Sequence, residues 1–97
     1  MSNAIKLTKP IEAHGETLNE LKLRELNTED IMRCGYPMTI KGAGDNAEIV
    51  LQPDIAAKYI SRLAGIPESS VKALAPVDFN SVMMAVVGFF GESGVAM

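Results

Sequence analysis

The chain has 97 residues, with nine Lys and Arg against twelve Asp and Glu, a formal charge of −3, one cysteine and no tryptophan. That length gives one domain over residues 1–97, large enough for a core and too small for a second. The acidic balance argues against duplex-DNA binding, because Lys6, Lys9, Lys22, Arg24, Arg33, Lys41, Lys58, Arg62 and Lys72 are scattered and read as solvated surface charge.

Met1 to Ala4 carry no assigned role, and no internal repeat or low-complexity segment follows. Residues 5–26 read as a β-hairpin. Ile5, Leu7, Lys9 and Ile11 alternate with Lys6, Thr8 and Pro10, a period of two with one mostly apolar face. Pro10 cannot donate a ladder hydrogen bond, so the strand lies at an edge or bends there. Ala13-His14-Gly15-Glu16 supplies the turn, with Gly15 free to take positive φ. The return strand runs from Thr17 to Leu26, with Leu21 and Leu23 on one face and Glu20, Lys22 and Arg24 solvated on the other. Two strands alone are not stable, so the hairpin must pack on helices or pair with another chain.

The rest reads as helical. A short helix spans 28–34, with Thr28 as N-cap and Glu29 and Asp30 placed where the helix dipole favours acids. It stops near Gly35, and residues 35–50, centred on Lys41-Gly42-Ala43-Gly44-Asp45-Asn46, read as a flexible loop. The helical part covers 52–90. Pro53 suits a first turn, and Ile55, Ala56, Tyr59, Ile60 and Leu63 recur at helical spacing until Gly65 and Pro67. Glu68 to Leu74 form a short helix, and Pro76 opens the last one. The predicted class is α+β, an N-terminal antiparallel β-hairpin packed on a bundle of three to four short helices, rather than an alternating nucleotide-binding fold. A mobile tail is expected over 91–97.

Little in the chain suggests chemistry. His14 is the sole imidazole and Cys34 the sole thiol, and neither lies in a nucleophile motif; they read as a turn residue and a half-buried residue near a helix end. One His and one Cys do not make a zinc site, and Gly42 and Gly44 lack the context of a phosphate loop, so no cofactor or metal is expected. The unpaired cysteine fits a reducing compartment.

The final helix is the unusual segment. From Phe79 to Gly91 it has no charged residue, and it holds two Met, three Val and three Phe. The run is short of the ~20 apolar residues that span a bilayer, and it lies at the wrong end for a secretory signal. Phe79, Val82, Met83 and Val86 fit one core stripe, whereas Met84, Val87, Phe89 and Phe90 do not all fit on it and divide between core and interface. Methionine suits a surface that adapts to several apolar shapes. The expected partner contact is Met83, Met84, Val87, Phe89 and Phe90.

Several segments, taken in order, resemble the small tail assembly chaperones of contractile-tailed phages and prophages. They are Leu7 to Thr17, Leu21 to Glu25, Ile60 to Pro67, the Asp78-Phe79 step and Val86 to Phe90; the stretch from Met32 to Leu51 departs most from that pattern. The resemblance implies a non-enzymatic helper in the cytoplasm of the bacterial host, absent from the mature virion. It would bind the tape-measure protein and keep it soluble until the tail tube assembles. The resemblance also implies a minor, longer frameshifted form of the same protein, and Phe89-Phe90-Gly91 is compatible with a slippery run of T followed by G. A small structural or adaptor component of the tail is the alternative, and a nucleic-acid-binding regulator is disfavoured by the dispersed charge. The hairpin edge and the last helix are both usable for a homo-oligomer, and no membrane partner is expected.

Overall fold

A computed structural model describes residues 3–92. Strands β1 (Asn3–Ala13) and β2 (Glu16–Leu23) form the expected antiparallel hairpin. Its two-residue turn places His14 at φ 54° and Gly15 at φ 77°, the double left-handed geometry that matches the twist of flanking strands. The ladder runs from Asn3 opposite Leu23 to Lys6 opposite Glu20, then resumes at Ile11 opposite Leu18. Leu7 to Pro10 therefore stand against Asn19 alone, a large bulge of four residues against one at the position where Pro10 can offer no N–H. Strand β2 ends at Leu23, short of the predicted Leu26, because the Arg24 N–H turns to the Leu63 carbonyl at 3.0 Å.

Helix α1 spans Thr28–Cys34, as the sequence suggests, but its N-cap is Asn27 rather than Thr28. The Asn27 side chain accepts from the Asp30 N–H and the Asp30 carboxylate accepts from the Asn27 N–H, each at 3.0 Å. This reciprocal box satisfies two otherwise orphaned donors. Residues 35–50 are not the loop that their glycines suggest. Strands β3 (Met38–Lys41) and β4 (Glu48–Leu51) form a second antiparallel hairpin, with a 3-10 turn at Gly44–Asn46. The flanking Thr39-Ile40 and Ile49-Val50 are β-branched and carry the strand preference, and the polar centre is only the turn. At Gly42, φ is 86° and an added Cβ would meet the Asn46 carbonyl oxygen at 2.6 Å.

Helices α2 (Pro53–Ala64), α3 (Glu68–Lys72) and α4 (Pro76–Glu92) complete the α+β architecture. Helix α3 is shorter than predicted. Gly91 and Glu92, placed in the expected tail, belong to α4, and residues 93–97 lie outside the described residues. The core sits where the first hairpin meets α2 and α4: Leu21 and Leu23 from β2, Tyr59, Ile60 and Leu63 from α2, and Val82, Val86 and Phe90 from α4. The second hairpin touches this core only at its root, through Met38 and Leu51, and its outer residues are exposed. The long dimension of 47 Å against 25 and 21 Å follows from such extended ribbons.

Candidate interaction surface

Two buried carboxylates set the frame in which any surface is displayed. Asp30 is fully buried. It receives Arg24 Nη1 and Nη2 at 2.8 and 2.9 Å and Arg62 Nε at 2.9 Å. The Arg24 guanidinium, opposed in part by burial, holds the Asp30 carboxyl far below the usual carboxylate range. Arg24 and Arg62 are therefore not merely solvated charge; together with Asp30 they join the end of β2 to α1 and α2. Asp78, in the first turn of α4, reaches into the bulge of β1 and accepts from the Thr8 N–H at 2.9 Å, the Lys9 N–H at 3.2 Å and the Thr8 hydroxyl at 3.1 Å. The Thr8 N–H holds the Asp78 carboxyl below its ordinary value as well. The bulge thus frees backbone donors that the ladder would have used, and α4 is oriented by them.

With Asp78 directed inward, α4 presents two faces. Val82, Val86 and Phe90 are fully buried, and Met83 and Phe89 nearly so. Phe90 lies edge-on to Tyr59, with ring centroids 5.4 Å apart, and to Tyr36 at 5.8 Å. The opposite face carries Val77, Ser81, Met84 and Gly88, all exposed, with Val77 at 57% and Met84 at 54%. Ala85 and Val87 lie half-buried at its flanks, and Asn80 is exposed beside it.

The five residues expected to form a contact surface are therefore divided. Met84 is exposed and Val87 half-exposed, whereas Met83, Phe89 and Phe90 fill the core and do not form an exposed patch with them. The physical reason is that Tyr59 and Tyr36 close over the end of the core that a bare helical stripe leaves open. Val77, Ser81 and Gly88 were not singled out in the sequence, although their spacing with Met84 of four, three and four residues is a signal present there. Other exposed apolar side chains are Met32 on α1, Tyr36, and the cross-strand pair Ile40 and Ile49 on the second hairpin.

His14 Nε2 lies 3.1 Å from the Gly65 carbonyl at the hairpin turn, and Cys34 ends α1, half-buried. Burial pushes the Cys34 thiol up, away from a reactive thiolate. The Tyr59 hydroxyl donates to the Gly35 carbonyl, and burial pushes its pKa up to about 12. Among the described residues no group of three or more His, Cys, Asp or Glu is placed to hold a metal ion, and no helix is long and apolar enough to cross a membrane.

Compared with known proteins, residues 4–91 match the family described as "Phage tail assembly chaperone proteins, E, or 41 or 14". No curated protein and no solved structure matches the chain.

Proposed function

The chain belongs to the phage tail assembly chaperone family, and from that premise we propose that it binds the tape-measure protein and keeps it soluble until the tail tube assembles around it. It does so without catalysis, in the cytoplasm of the bacterial host, and leaves before the virion is complete. The observation that carries this is the outward face of α4, which is exposed, apolar at Val77 and Met84, and free of charge from Phe79 to Gly91. A helix apolar on both sides ordinarily sits inside a protein or against a partner. A long helical client exposes an apolar stripe before its tube forms, and an uncharged helix face can cover such a stripe. Met84 and Val87 remain in the contact, joined by Val77, Ser81 and Gly88, while Met83, Phe89 and Phe90 support the face from beneath. A longer frameshifted form would carry the same face.

The test is co-expression with the tape-measure protein encoded beside this gene, scored by client solubility and co-purification. Met84→Asp is the informative variant, because an exposed side chain is changed and the core is untouched. Wild type is expected to hold the client in solution and Met84→Asp to lose most of it, with unchanged circular dichroism. A client that stays soluble and bound with Met84→Asp removes this face from the contact, and a client left insoluble by wild type and longer form alike removes the function. The exposed Ile40–Ile49 pair favours one second reading, an adaptor in the tail itself; purified particles containing the chain would establish it.

A further inference from the structure

The outward face of α4 has a property that a general apolar surface lacks. Val77, Ser81, Met84 and Gly88 follow one another at four, three and four residues, the spacing of a coiled-coil seam. Along it large and small side chains alternate. Reversing the helix and laying it on itself sets Val77 against Gly88 and Ser81 against Met84, then the same two pairs again, about a two-fold axis between Val82 and Met83. Every layer then joins a large residue to a small one, and the two-fold repeats each contact, as an isologous interface demands. Three further observations agree. The Ser81 hydroxyl already donates to the Val77 carbonyl at 3.1 Å, so it enters an interface without an unsatisfied donor. Gly88 has nothing within 4 Å of where its Cβ would stand, so the fold itself does not require glycine there, and a side chain from outside has room. No charge on the seam repels its copy, because the one acid near its start, Asp78, is turned into the β1 bulge.

We propose that a second copy of this chain covers the outward face of α4, the two helices lying antiparallel with Val77 of each against Gly88 of the other. From Val77 to Gly88 the seam is only about 17 Å long, at the low end of interface size, so the dimer is weak and exchanges readily. With like net charge on the two copies and an uncharged seam from Phe79 to Gly88, the dimer tightens as salt rises. The dimer does not depend on the identity of the client; that client and second copy compete for one face rests on the function proposed above.

Sedimentation equilibrium tests the association. The wild-type mass is expected to rise from 10.4 kDa toward twice that value with concentration and with salt, and Met84→Asp is expected to stay monomeric with unchanged circular dichroism. Geometry is tested in a Cys34→Ser background with a short bis-maleimide. A mixture of Val77→Cys and Gly88→Cys chains should cross-link several-fold more than either alone, since identical positions lie about 17 Å apart along antiparallel helices. A wild-type monomer throughout the accessible range, a Met84→Asp dimer, or cross-links formed equally well by Val77→Cys alone would each overturn the proposal. Adding tape-measure protein should lower the mixed cross-link; if it binds and the yield is unchanged, the client uses another surface and the dimer stands.

Discussion

Replacing Phe90 by alanine separates a core role for the end of α4 from a contact role. Phe90 is fully buried and meets two rings edge-on, Tyr59 at 5.4 Å with planes 89° apart and Tyr36 at 5.8 Å with planes 60° apart. Removing a buried phenyl ring costs about 3–5 kcal/mol, and the upper half of that range applies where aromatic partners lose their edge contact. Set against roughly 5–15 kcal/mol for a whole domain, this is a large share. At about 4–8 °C per kcal/mol for a chain of this size, the melting temperature should fall by about 16–40 °C. Met84→Ser, on the same helix but exposed, should change stability by no more than about 0.5 kcal/mol. Urea titration followed by far-UV circular dichroism measures both, and a common slope confirms that the same unfolding is compared. A Phe90→Ala protein within about 1 kcal/mol of wild type would refute the burial reasoning. Phe90 would then return to the candidate contact surface.

Four further outcomes follow from the buried polar groups and the second hairpin. Arg62→Ala should cost about 1–3 kcal/mol, read from the urea midpoint, because the fully buried Asp30 carboxylate loses one of its charged donors. Asp30 and Asp78 both have folded pKa values below their unfolded ones, so the stability they add is present above roughly pH 4 and is lost as pH falls below it. Melting temperatures measured from pH 6 downward should show that loss, and Asp30→Asn and Asp78→Asn should each flatten it. At the other end, the Tyr59 pKa is raised to about 12, so its contribution is intact below about pH 10 and declines above it; Tyr59→Phe should lessen the alkaline loss. Gly42→Ala should loosen the second hairpin, seen as faster amide exchange over residues 38–51, since the new Cβ meets the Asn46 carbonyl. The core amides should be little changed, because that hairpin joins the core only at its root.

The elements legible in the chain are those decided by neighbours in sequence. The Pro10 irregularity, the His14-Gly15 turn, the Pro53 and Pro76 helix starts and the Gly65 stop are local signals, and each stands where they put it. The second hairpin was hidden because its turn is rich in glycine and polar residues, while its strands are only four residues long. What tertiary structure alone decided is which groups meet across distance. Asp30 reads as a first-turn acid until Arg24 and Arg62 close on it, the latter 32 positions away. Asp78 reads the same way until it enters a bulge 70 positions earlier. The missing charge between Phe79 and Gly91 showed that α4 needs cover on more than one side. It did not show which side the protein covers itself. That is decided by the anchoring of Asp78 in β1 and by Tyr36 closing over Phe90: once those contacts fix the rotation of the helix, Phe90 turns inward and Met84 outward. Periodicity specifies relative positions around a helix axis, and only contacts from other elements specify the angle at which that axis is set.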